Sequence, residues 1–269
     1  MTVVATIITR HFTAHASDSY LTRQKPDGTL EQVDTQSTKL VPVPHWRGAM
    51  AFWGLALNGT WSTLSWLRHH AAQAGQHSSA EQFANALAAD LSGELERQTF
   101  HRPREKGIGI HFTAYERVQD YWIPELFLLS NWTDVSYRDV QKQVGVSRRT
   151  YFTVKNVDAG PVGAESGFRI EVHTFLRNGG LLLFNNGDPV LFNPIANAMG
   201  NVFRELYGRG AISQSDSKET HCALVRHPVE AVSRLIAVLC IPTVRRIGGK
   251  PHDLCISPEG IFWSSTGDV

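Results

Sequence analysis

Thr2-Val3-Val4-Ala5-Thr6-Ile7-Ile8-Thr9-Arg10-His11-Phe12-Thr13-Ala14-His15-Ala16-Ser17-Asp18-Ser19 stands at the head of the chain. Residues 3–17 are rich in Val, Ile, Thr, Phe and Ala with partial alternation, the pattern of one or two strands that begin almost at the first residue. Outward from there, Lys25-Pro26-Asp27-Gly28 has the residue types of a turn, and Leu40 to Leu57 predicts two further strands around Pro44-His45. These strands are expected to pair in one antiparallel sheet. Apolar residues then fall at helical spacing from Trp61 to Ala74 and again from Ser79 to Arg97, with Ser79 as N-cap and Gln82 completing a capping box.

From Gly107 to Phe184 strand character returns in several pieces, broken near residues 156–160 and at Asn178-Gly179-Gly180, and this is the material for a second sheet. Helical patterns follow at Ile195 to Tyr207 and Pro228 to Leu239. A hairpin over Asp253 to Ser264 turns at Ser257-Pro258-Glu259-Gly260. Strands, helices, strands, helices and a closing hairpin, with no internal repeat, predict an α+β layered sandwich in a single domain over 1–269.

Composition narrows the functions open to such a chain. The 269 residues, 42% of them hydrophobic, suffice for a large core. Lys and Arg number 26 against 25 Asp and Glu, so no field draws nucleic acid or an anionic membrane, and neither is an expected partner. Cys222, Cys240 and Cys255 are odd in number and lack CxxC spacing, which argues against a disulfide framework or a thiolate zinc site and points to a reducing, cytoplasmic compartment. The 12 histidines form no HExxH or Cys/His arrangement, so they are assigned to polar faces; no metal and no cofactor is expected. Arg245-Arg246-Ile247-Gly248-Gly249-Lys250 lacks the strand and helix context of a phosphate loop and is assigned to a solvated turn. Asn185-Asn186-Gly187-Asp188-Pro189 has the composition of a tight turn, and the 7 scattered tryptophans that of packing residues.

The chemistry-bearing residues lie in the opening segment. Once Met1 is removed, Thr2 carries a hydroxyl and a free α-amine, whose pKa of about 7.7–8.0 lets it take the hydroxyl's proton near neutral pH. A nearby lysine favours the deprotonated forms of both groups, and an aspartate paired with it holds it in place; Asp18 and Lys39 are the candidates.

Thr2, Ala16-Ser17-Asp18-Ser19 sixteen residues on, Gln36-Ser37-Thr38-Lys39-Leu40 and Gly54 together resemble the opening of proteasome β subunits and their bacterial relatives, which are N-terminal-nucleophile hydrolases. The spacing from Asp18 to Lys39 exceeds the family's usual one by about five residues, an excess that falls in the turn-forming Arg23 to Gln32 segment. The likeness covers residues 2 to about 80, and more loosely 228–266. It implies a four-layer αββα sandwich of two antiparallel sheets flanked by helices. It further implies a threonine peptidase in which Thr2 attacks, Lys39 lowers the hydroxyl's pKa, Asp18 positions Lys39 and the Gly54 amide stabilises the oxyanion. A homo-oligomeric ring enclosing peptide or unfolded-protein substrates goes with it, as does an ATP-dependent unfoldase as a conceivable partner. The family's aspartate and serine before a Gly-Gly pair have no counterpart, since Val244-Arg245-Arg246-Ile247 precede Gly248-Gly249. Two alternatives stay open: an inactive ring protein that keeps the fold, and an amidase for a small metabolite.

Overall fold

The computed structural model describes residues 3–24, 30–34, 36–100, 103–133, 137, 139–149, 151–155, 167–187, 192–213, 216–239 and 247–263. The chain starts with β1 (Val4–Ile8), β2 (Thr13–Ser17), β3 (Leu21–Gln24), β4 (Leu30–Asp34), β5 (Leu40–Val43) and β6 (Gly48–Gly54). The short strands β7 (Leu57–Asn58) and β8 (Trp61–Ser62) lead into α1 (Thr63–Ala72) and α2 (Ala80–Arg97). Next come β9 (Ile108–Val118), β10 (Tyr121–Trp132), β11 (Val140–Arg148), β12 (Tyr151–Lys155), β13 (Gly167–Glu171), α3 (Val172–Arg177) and β14 (Leu182–Asn186). The helices α4 (Phe192–Gly208) and α5 (Lys218–Leu239) and the strands β15 (His252–Ser257) and β16 (Gly260–Trp263) complete it.

Two antiparallel five-stranded sheets carry the structure, one ordered β14-β1-β2-β15-β16 and the other β11-β10-β9-β6-β5. The side-chain period of two sends alternate residues to opposite faces. On β6, Met50 and Phe52 join Leu67 of α1 and Phe83, Leu87 and Leu91 of α2 in one apolar cluster, while Ala49, Ala51 and Trp53 face the other sheet. On the first sheet, Ala5, Ala14 and Cys255 pack on Phe192 of α4 and on Val225 and Val229 of α5. Val4, Leu254 and Ile256 meet Leu40 and Trp53 between the sheets. The result is an α+β sandwich with each sheet covered by helices on its outer face.

The strand pattern of the opening segment holds, but its sheet assignment does not. β1 and β2 pair with each other, with β14 and with β15, whereas β5 and β6 join β9 in the opposite sheet. Alternation tells which face of a strand is buried; which strands become neighbours depends on pairing across long stretches of chain. β14, expected in the second sheet, likewise belongs beside β1. The turn at Lys25-Pro26-Asp27-Gly28 and the break at 156–160 lie outside the described residues. Ser79 caps α2, its Oγ accepting from the Gln82 amide at 3.1 Å, but the Gln82 side chain returns to the Ser78 amide at 3.2 Å rather than to Ser79. α5 begins at Lys218 and runs through Pro228, earlier than the apolar pattern predicts.

A chain of polar side chains ties the two sheets together at their centre. His15 Nε2 meets Thr113 Oγ1 at 2.7 Å and its Nδ1 meets Thr6 Oγ1 at 2.8 Å; the same hydroxyl meets His111 Nδ1 at 2.8 Å. His111 Nε2 reaches Asn186 Oδ1 at 2.6 Å, and Asn186 Nδ2 donates to the Tyr137 hydroxyl at 2.8 Å. Thr6, His15, His111 and Thr113 are all buried. This corrects two sequence assignments. His15 sits in the core rather than on a polar face, and Asn186 is a strand residue inside the network rather than part of a turn; Asp188 and Pro189 lie outside the described residues. The alternation of β2 places His15 on the face turned towards the other sheet, and Thr6, Thr113 and His111 supply the partners that make its burial tolerable.

Candidate active site

The register of the first hairpin builds the site. Val4 lies opposite Ser17, so the next residues outward, Val3 and Asp18, meet at the end of the sheet. The Val3 amide donates to Asp18 Oδ1 at 3.0 Å, and the Asp18 amide donates to the Val3 carbonyl at 3.4 Å. Lys39, just before β5, reaches across from the other sheet. Its Nζ donates to Asp18 Oδ1 and to the Tyr20 carbonyl, each at 2.7 Å, and both charged side chains have 0% exposure. The Gly248 amide donates to Asp18 Oδ2 at 3.4 Å, and the Gly248 carbonyl accepts from Ser19 N at 3.1 Å. Asp18 therefore collects one ammonium and two backbone N–H donors, the partners that a buried carboxylate needs. A side chain at 248 is sterically excluded, because a Cβ there would stand 2.5 Å from the Tyr20 ring.

Burial pushes the Lys39 ammonium below its ordinary pKa, and the Asp18 carboxylate pulls it back up by charge and by hydrogen bond. An ammonium has three donors. Two of those on Lys39 meet Asp18 and Tyr20, and the described residues supply no acceptor for the third.

Of the four residues singled out in the sequence, Asp18 and Lys39 are in direct contact. Gly54 closes β6, on the strand hydrogen-bonded to the Lys39 segment: the Phe52 amide donates to the Lys39 carbonyl at 3.1 Å, and Gly54 follows two residues later. No hydrogen bond among the described residues joins Gly54 to Asp18 or Lys39. Its φ of +90° and a Cβ position 2.3 Å from the Gly107 carbonyl oxygen require glycine there on backbone grounds. Thr2 and Met1 lie outside the described residues, as do Cys240, Val244, Arg245 and Arg246.

Two further polar residues at this end were given no role from the sequence. Ser17 and His252 are cross-strand neighbours of β2 and β15. The Ser17 hydroxyl and both His252 ring nitrogens are buried with no hydrogen bond among the described residues. Burial pushes the His252 pKa down; the Gln36 backbone lies near enough to favour a charged ring, but not in hydrogen-bond geometry. His252 lines a cavity of about 680 Å³ together with Ser37, Thr38, Leu40, Leu64 and Trp263. The signal for His252 was a histidine in the alternating face His252, Leu254, Ile256, which is otherwise apolar and turned towards the second sheet.

Buried cation, carboxylate and adjacent backbone amides can orient and acidify a hydroxyl or amine brought to them, and the neighbouring cavity has room for part of a substrate. Compared with known protein families and with curated proteins, the sequence matches none.

Proposed function

We propose that the chain is a threonine-type N-terminal-nucleophile hydrolase of peptide or amide bonds, with the four-layer αββα architecture of proteasome-like proteins. Thr2 is its nucleophile once the bond before it has been cleaved. The observation that carries this reading is the buried Asp18–Lys39 pair hydrogen-bonded to the amide of Val3, the residue covalently next to Thr2. A lysine–aspartate pair of this kind is costly to bury, and its contact with the residue next to Thr2 gives that cost a purpose.

In this reading the positive potential of Lys39 favours the neutral amine and the ionised hydroxyl of Thr2. The Thr2 oxygen attacks the substrate carbonyl carbon while its own amine takes the proton. The amine then returns that proton to the departing amine of the substrate, which leaves an ester on Thr2, and water hydrolyses the ester. The Gly54 amide has the oxyanion role, and the cavity beside Lys39, walled largely by Leu40, Val41, Pro42, Leu64 and Trp263, takes an apolar part of the substrate. Assembly into a homo-oligomer is supported by α4 and α5, which leave Val202, Leu206, Leu235 and Val238 exposed.

The test is intact-mass spectrometry of the purified protein before and after a threonine-directed epoxyketone or β-lactone. A chain starting at Thr2 should gain one equivalent of label and hydrolyse peptide amides, and Thr2→Ala should lose both while still folding. Labelling that persists unchanged in Thr2→Ala, or a Thr2 whose preceding bond is never cleaved, rules the mechanism out.

A further inference from the structure

The pole opposite Lys39 holds a second concentration of functional groups. The β1–β2, β9–β10 and β15–β16 connections all turn back there, since Ile8, Val118 and Ser257 are the strand ends remote from Val4, Ile108 and His252. Between the β1–β2 and β9–β10 turns and α3 lies a cavity of about 350 Å³ lined by Arg10, Tyr121, Trp122, His173 and Arg177, and no acidic residue is part of its wall. A neighbouring cavity of about 410 Å³ shares Arg10, Tyr121 and Trp122, reaches the β15–β16 turn and has Asp120 and Glu259 in its wall.

The two arginines facing this space are not consumed by the fold. Among the described residues neither Arg10 nor Arg177 forms an ion pair. Glu125, a buried carboxylate beside this space, is already met by Arg148 at 2.8 Å and by His173 Nε2 at 3.3 Å, while His173 Nδ1 is buried with no hydrogen bond among the described residues. Flat apolar surface stands beside these donors. The Arg47 guanidinium lies 3.9 Å from the centre of the Trp122 ring and is itself fixed by donating to the Pro258 carbonyl at 2.6 Å, so the indole is held in place. Tyr121, 63% exposed, and Val118, 48% exposed, are large side chains left open at the rim.

We propose that this pole is a binding site for a small organic oxyanion bearing a flat ring, with the anionic group between Arg10 and Arg177 and the ring against Trp122 and Tyr121. Guanidinium groups match the forked acceptors of carboxylates and phosphates, and aromatic side chains match a ring face. A cavity of this size accommodates a mononucleotide or an aryl carboxylate. The site is independent of the hydrolase reading, because it shares no residue with Asp18, Lys39 or the cavity beside them.

Calorimetric titration of the full chain with adenosine monophosphate, 1-naphthoate, adenosine and inorganic phosphate tests the assignment and separates the two sources of the oxyanion. At least one of the two ring-bearing anions should bind with a Kd below about 1 mM. Adenosine or phosphate alone should bind about tenfold more weakly or worse, and Arg10→Ala/Arg177→Ala should weaken the ring-bearing anion by a similar factor with an unchanged melting temperature. Absence of saturable binding by either ring-bearing anion overturns the proposal, as does equal affinity in the double variant.

Discussion

An ion pair with both members fully out of water survives because hydrogen bonds to the surrounding backbone support each of them. Asp18 accepts from Lys39 and from the amides of Val3 and Gly248, and Lys39 donates also to the Tyr20 carbonyl. Removing one member strands the other. Lys39→Met leaves a buried carboxylate with two amide donors among the described residues and is expected to cost about 3–5 kcal/mol of stability. Lys39→Met/Asp18→Asn removes both charges and should recover at least about 1 kcal/mol relative to the sum of the single changes. Urea denaturation of the four proteins measures that coupling, and simple additivity would mean that the two groups do not depend on each other. Hydrolysis should be lost in all three variants on the proposed mechanism, whereas stability alone should be partly restored in the double one.

Secondary-structure elements bear the same logic through their glycines. Gly93 lies inside α2, and a Cβ at that position would meet nothing within 4 Å, so Gly93→Ala should stabilise the protein by about 0.5–1 kcal/mol by restricting the unfolded chain. Gly54→Ala at the end of β6 should destabilise it, because its φ of +90° and the Gly107 carbonyl leave no place for a methyl group. A pair of melting curves that moved in the same direction would contradict this account. Elements of this kind were legible in the sequence where the signal is local. β1, β2, α2 and the closing hairpin follow from alternation, helical period, the Ser79 cap and the Pro258-Glu259-Gly260 turn. α3 was missed because six residues are too few to show a period, and the start of α5 because Pro228 imitates a first helical position. Asp18 and Lys39 could be paired from spacing and resemblance. Ser17 and His252 could not, since their significance arises only from a cross-strand pairing between the two ends of the chain.

At the scale of the whole molecule, the two sheets are joined by apolar contacts, by the Lys39–Asp18 pair and by a directional hydrogen-bond chain at their centre. Asn186 Oδ1 can only accept, so His111 Nε2 donates to it and His111 Nδ1 accepts from the Thr6 hydroxyl. The Thr6 oxygen then accepts from His15 Nδ1, which leaves His15 Nε2 to accept from Thr113. With both imidazoles neutral, every member of this chain is satisfied. Burial pushes His15 down to about 3, with the nearby His111 adding to the effect. Burial pushes His111 down to about 4, against the opposing pull of the Asn186 hydrogen bond and with Arg149 adding to the depression. Both folded pKa values lie below the unfolded value of about 6.5, so the unfolded chain binds more protons in that interval and stability falls as pH falls. The contribution is fully present above about pH 6.5 and declines through the folded pKa values, by up to about 1.4 kcal/mol per pH unit for each ring. The informative window is pH 6.5 to 5, above the range in which carboxylates titrate. Urea midpoints should drop steadily across it in the parent protein, and the slope should flatten in His15→Gln/His111→Asn, even though that variant starts from a lower stability at pH 7. A slope equal to the parent's would assign the acid sensitivity to groups outside the sheet interface.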